Sequence, residues 1–379
     1  AAALGRRLAG ARNRESAGLR SRASATTVTG LQLMRRPLSF SLIVMLLVTG
    51  PAQAADDLLT VARARFQPIP LMAPELPGNP ATPARLELGR MLYFDPRVSA
   101  GRPGSCNSCH NVGLAGADGR ETAIGHSWQK GGRNVPTAFN AVFNTARFWD
   151  GRAQDLDDKA GGPPFNPIEL ALPRDQLSDQ LAAIPGYLAA FHAAFPGEPA
   201  PVTLANAQKA IAVFQATLIT PNAPFDRYLR GDAYALNARQ KAGLQLFISK
   251  GCAECHDGMN LGGTQYAPFG ILERPGADVL PRDDKGRFMV TETVGDQYVF
   301  KVPQLRNIAL TAPYFHSGRA WDLAQSVAVM AASQVGAPVS AEESAQITAF
   351  LGSLTGEQPR ITHPVLPAVA GPGATVPPP

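Results

Sequence analysis

The 379-residue chain is 45% hydrophobic and 17% charged. This composition supports one large or two medium globular domains with real cores and excludes a small scaffold held together by disulfides. The formal charge of +5 rests on residues 1–54, which hold 8 of the 35 basic but one of the 30 acidic side chains; without them the chain is slightly acidic, which removes any charge argument for nucleic-acid binding.

That leader has its own pattern. From Met34, "MRRPLSFSLIVMLLVTGPAQA" joins a basic start, an apolar run over 38–48 and a final Ala52-Gln53-Ala54, the three-part form of a secretory signal with cleavage expected after Ala54. The apolar run is about half the roughly 20 residues that a membrane-spanning helix needs. The expectation is therefore export and removal of residues 1–54, with no membrane span in the mature chain.

A Pro-rich approach at 66–84 leads into a predicted helix over 83–93, with Thr82 as cap and Pro83 at its first position. Thr203 is expected to cap a helix within 202–220, Asn237 one over 238–251, and Ser340 with Glu343 forms a capping box for a helix over 340–354. Strand signals are short and scattered. The pattern predicts a mainly α-helical protein with long loops and a disordered Pro-rich tail at 364–379.

The chain also repeats itself. "VPTAFNAVFNTARFWDGRAQDL" at 135–156 and "VPQLRNIALTAPYFHSGRAWDL" at 302–323 align without a gap, the mark of an internal duplication. Trp149 of the first copy stands opposite His316 of the second, so the copies are expected to have specialised.

All four cysteines fall in two short motifs, Cys106-Asn107-Ser108-Cys109-His110 and Cys252-Ala253-Glu254-Cys255-His256. Both fit C-x-x-C-H, the attachment signature of c-type haem. Thiols three residues apart lie on one side of a helical turn and reach both vinyl groups of one porphyrin, while the following His reaches the iron. A zinc site or a redox disulfide competes with this reading, but neither accounts for the His after each pair. Two haems need further axial ligands. Of the remaining histidines, His126 and His316 stay open, His192 reads as an ordinary helical residue and His363 lies near the tail; Met259, Met289 and Met330 are equally open as sulfur ligands.

The series "LGRMLYFDPRVS", "SCNSCHN", "GHSW", "RNVPTAFNAVFNTARFWDGRA", "NPIEL", "PFDRYLRGD", "GCAECHDG" and "TAPYFHSG" resembles the bacterial di-haem cytochrome c peroxidases, a superfamily that includes MauG-type enzymes. The resemblance implies two cytochrome c-like domains, a peroxidatic one over 55–220 and an electron-transfer one over 221–363. It implies a periplasmic, dimeric enzyme that reduces hydrogen peroxide with electrons from a small cytochrome c or cupredoxin. His110 and His256 would be proximal ligands, His126 the removable distal ligand of the first haem, and Met330 the axial ligand of the second. Glu169 would be the acid-base carboxylate and Trp149 the aromatic residue between the haems. Asn134, Thr311 and Pro313 match a calcium site. Lys159 departs from a usual Gln and Leu170 from a usual Met. The alternatives are a MauG-like oxidase of a protein substrate, a branch in which Tyr replaces the axial Met, and a non-catalytic di-haem electron carrier.

Overall fold

A computed structural model describes residues 51–101 and 104–369, with side chains from residue 57 onward. Most of the expected export signal and residues 370–379 lie outside the described residues. The helices run in the order α1 (Pro51–Arg65), α2 (Pro83–Phe94), α3 (Cys106–Cys109), α4 (Leu156–Ala160), α5 (Gln176–Ala182), α6 (Pro185–Ala194), α7 (Leu204–Ala216), α8 (Pro224–Leu229), α9 (Ala238–Ser249), α10 (Phe288–Thr291), α11 (Leu323–Met330) and α12 (Ala341–Gly352). Two short strands, β1 (Tyr266–Pro268) and β2 (Val299–Lys301), pair antiparallel with Tyr266 opposite Lys301. No helix among the described residues is long and apolar enough to cross a membrane.

The predicted caps form. Thr82 accepts from Arg85 N–H, Thr203 from Asn206 N–H, and the Asn237 and Ser340 side chains cap α9 and α12. Each of the two main cores is then built on one helix pair. In the first, α2 packs on α7 so closely that a Cβ at Gly89 would lie 1.9 Å from the Ala210 carbonyl oxygen; in the second, a Cβ at Gly243 of α9 would lie 1.9 Å from that of Gln346 on α12. Glycine is required at both crossings because any side chain would push the helices apart. Leu88, Leu92, Tyr93, Tyr187, Phe191 and Phe214 fill the first core, and Phe66, Phe225, Leu244, Phe247, Phe350 and Leu354 the second.

The two aligned segments share backbone detail as well as letters. Asn140 and Asn307 both take left-handed conformations, φ 57° and 60°, as do Phe148 and Phe315, φ 63° and 65°. Arg147 bridges to Ala153 as Tyr314 bridges to Ala320. The two asparagines meet at one hydroxyl: their Nδ2 atoms donate to Thr220 Oγ1 at 2.7 and 2.9 Å. Elsewhere, a fully buried ion pair, Arg306 to Asp226 at 2.7 Å, ties α8 to the later chain. Asp226 also accepts from Ile69 N–H and Ala223 N–H.

One expectation needs correction. Residues 364–369 were expected to begin a disordered tail, yet the chain before residue 370 straps across the first core. Pro367 O accepts from Arg97 Nη1 at 2.7 Å, His363 lies edge-on to Phe94, and Ile361 and Leu366 pack on the first cluster. Proline-rich chain without periodicity can still be ordered where its carbonyls accept from fixed arginines.

Candidate active site

Each C-x-x-C-H motif is a single tight turn closed by backbone bonds. His110 N–H donates to Cys106 O at 2.9 Å, and His256 N–H to Cys252 O at 3.0 Å. Tyr93 of α2 donates its hydroxyl to His110 O at 2.7 Å, which anchors the first turn to the core. In the second, Gly251 at φ 86° lets the chain leave α9 and enter the motif directly. Cys106 packs on the first core and Cys252 on the second, and all four thiols are free. Among the described residues no three His, Cys, Asp or Glu side chains converge as a metal cluster, so the thiols are not arranged as one zinc site. Burial pushes the Cys109 thiol up to about 12 and Cys252 to about 11, far from activated thiolates.

The histidine rings have matched surroundings. The Gly116 and Pro136 carbonyls face His110, and those of Leu261 and Pro303 face His256; the two prolines are equivalent positions of the repeat. His256 Nδ1 lies 3.1 Å from Leu261 O, a bond that leaves Nε2 as the free lone pair. Burial lowers both rings below the ordinary histidine range, so both are neutral, the form that ligates metal. A single cavity of about 540 Å³ is lined by His110, His256, Met330 and Trp149 together. Its neutral histidines, sulfur donor and hydrophobic walls fit porphyrin-held iron.

Lys159 lies in the first pocket, with Nζ 3.1 Å from His110 Nε2. Burial lowers its pKa, against the pull of Cys106 and Glu169. Leu170 is buried in the first core. His126 and Glu169 sit together: His126 N–H donates to the carbonyls of Ile168 and Glu169 at 3.1 and 2.7 Å. Glu169 Oε1 accepts from Asn166 Nδ2 at 2.7 Å, and its charge reaches both Cys106 and Cys109. Neither His126 nor Glu169 lines the large cavity. Beyond His126 the backbone turns sharply, with Ser127 and Trp128 at φ 54° and 64° and the Trp128 side chain 85% exposed.

Met330 ends α11, where the helix widens into a π-turn over 331–335, a local widening that often marks functional positions. Met289 is exposed, and Met259 presents its carbonyl to Arg306. Asn134, Thr311 and Pro313 all border the large cavity. Asn134 Nδ2 donates to Arg120 O at 2.9 Å, so its Oδ1 remains an available acceptor. Trp149 Nε1 donates to Asn134 O at 2.8 Å, and its ring stands edge-on to His316 at 6.2 Å. The two residues that oppose each other in the repeat alignment are thus in contact.

His316 is buried and stacks on Phe300 at 4.2 Å. Burial pulls its pKa down to about 4, with Asp284 opposing. Arg133 holds both Asp150 and Asp284 at 2.6 Å. This network was not legible from the motifs: Arg133 and Asp150 lie in the quoted stretch 133–153, but Asp284 comes from a segment with no recognisable pattern.

Two haem-attachment sequences around one cavity give the chemistry of a redox protein. Comparison with known proteins gives its class: residues 83–234 match the family described as di-haem cytochrome c peroxidase, and the chain belongs to that family, a class of oxidoreductases. Among curated relatives, it is 50% identical over 325 residues to the cytochrome c551 peroxidase of Pseudomonas aeruginosa, covering 86% of this chain and 94% of that one. It is 33% identical over 330 residues to the methylamine utilization protein MauG of Methylorubrum extorquens, with 84% and 91% covered. Among solved structures, a MauG-like protein associated with microbial copper homeostasis superposes with a TM-score of 0.68 at 28% identity, covering 76% of this chain and 95% of that one.

Proposed function

We propose that the chain is a periplasmic di-haem cytochrome c peroxidase that reduces hydrogen peroxide to two waters with two protons and two electrons from a small c-type cytochrome or cupredoxin. The observation that carries this reading is the single cavity bordered by both motif histidines, Met330 and Trp149. Its architecture would be two domains, 55–220 and 221–363, derived by duplication. The matched left-handed residues and bridges of the two repeats support that origin.

Cys106 and Cys109 would hold one haem by thioethers with His110 as proximal ligand, and Cys252 and Cys255 the other with His256 and Met330. The two haems supply electron storage and the reductive cleavage of the peroxide bond. The protein's own groups do the rest. For His110 Nε2 to serve as a ligand, the Lys159 amine that contacts it would have to move aside. Glu169, oriented by Asn166, takes the proton from the near oxygen of peroxide and returns it to the far oxygen, which leaves as water. His126 blocks or vacates the peroxide position; its backbone is tied to the Glu169 carbonyl, so the gate and the acid-base group move as neighbours. Trp149, held by Asn134 O, bridges the two halves as the electron path. Asn134 Oδ1 with the Thr311 and Pro313 carbonyls offers hard oxygen donors for a calcium ion that keeps the halves in register. The active form would be a homodimer.

The test is anaerobic, peroxide-dependent oxidation of a reduced small cytochrome c, with and without prior half-reduction of the enzyme. Turnover after half-reduction is expected; its absence under both conditions would rule the reading out. The MauG-like alternative is disfavoured by Met330, which stands where that branch carries Tyr.

A further inference from the structure

Among the described residues, two cations buried in the cavity wall form no ion pair with an acid. Arg147 is 7% and Lys301 6% exposed, and both border the cavity that reaches His110. Both are tied to the same stretch of backbone: Arg147 is two residues before Trp149, and Lys301 N–H donates to the Trp149 carbonyl at 2.8 Å. Arg147 spends Nη1 on the Asn144 carbonyl, while its buried Nε has no partner. The buried acids nearby are already committed, Asp150 to Arg133 and Arg152, and Asp284 to Arg133. The acid whose charge does reach Arg147 is Asp155, which is exposed and caps α4.

Desolvated like charges destabilise a fold unless an anion sits with them. Burial pulls Arg147 down to about 10, and burial with the neighbouring Arg147 pulls Lys301 to about 8. Arginine's planar fork suits a carboxylate, and a lysine beside it supplies a second, movable donor. A haem fixed by thioethers at its vinyl edge presents two carboxylates at the opposite edge. Arg147 lies near enough for its charge to act on Lys159, which touches His110, and this is the ground for assigning the pair to the first ring.

We propose that Arg147 and Lys301 bind the propionate carboxylates of the haem attached at Cys106 and Cys109, and so fix the free edge of that ring against Trp149. The inference rests on the proposed attachment of haem at both motifs. It has two consequences. The carboxylates stay ionised across neutral pH, and the two cations raise the potential of the first haem by favouring its reduced, less positive state.

The experiment uses full-length holoprotein carrying Arg147→Gln, Lys301→Gln or the charge-keeping Arg147→Lys, with Arg152→Gln as a surface control. Haem is counted first; fewer than two per wild-type chain would sink the haem reading itself, an outcome separate from any change in potential. Redox titration over a range of pH then reads each haem separately. Both neutral variants should lower the first potential and make it pH-dependent, because an unbalanced propionate now takes up a proton, while Arg147→Lys and the control stay near wild type. Unmoved potentials and pH profiles in both neutral variants, or a shift confined to the second haem, would overturn the proposal. If neither neutral variant accumulates, infrared spectra of the wild type decide: ionised propionate bands on both sides of neutrality support the pairing, and a protonated carboxyl band at neutral pH contradicts it.

Discussion

The two histidine turns are built alike and housed differently. His256 sits at the end of α9 with its Nδ1 bonded to Leu261 O, and the sulfur that shares its cavity, Met330, comes from a helix packed on α12. His110 faces a lysine, and the histidine proposed to oppose it comes from a short turn held by two backbone bonds and followed by an exposed Trp128. A ligand on a packed helix stays where it is; a ligand on a turn with little buried side chain can leave. In the proposed reading, the same attachment device would yield one iron site suited to holding an electron and one suited to opening. The difference lies in what supports the sixth ligand, not in the motif.

The strongest way to break this comparison is to remove one device at a time. Cys106→Ser with Cys109→Ser, or Cys252→Ser with Cys255→Ser, should each leave one covalent haem per chain by pyridine haemochrome assay; two remaining in either variant would refute the attachment sites. Next, Glu169→Gln should slow peroxide turnover about 10²- to 10⁴-fold with both haems retained, whereas an unchanged rate would take the carboxylate out of the mechanism. The rigidity assigned to the second half can be challenged at its buried ion pair: Asp226→Ala strands Arg306 and should cost about 3–5 kcal/mol, measured by denaturant midpoint. The smallest effect sharpens the contrast in local support. Thr82→Ala and Ser340→Ala each remove an N-cap and should cost about 1 kcal/mol, equally in the two halves, because the helix scaffolds are alike and only the ligand supports differ.

Local chemistry was legible and distant chemistry was not. The caps at Thr82, Thr203, Asn237 and Ser340 depend on bonds within a few residues, so letters alone place them. The attachment motifs are equally local, and the ungapped alignment set opposite each other two residues, Trp149 and His316, whose rings meet in the fold. What the letters hid was convergence. Nothing in "TARFW" or "YVFKV" shows that Arg147 and Lys301 are buried side by side without an acid, since a cation in sequence reads as surface. Thr220 gives no sign that it receives asparagines from both repeats. Residues 364–369 read as a disordered tail because their order depends on Arg97, far earlier in the chain.

Whether two irons would sit in unlike pockets is read by a potentiometric titration of the holoprotein followed in the visible spectrum. Two separate one-electron steps are expected, with Met330→His lowering the higher one and leaving the other in place. A single two-electron step, or a higher step that does not move in the Met330→His protein, would contradict unlike pockets.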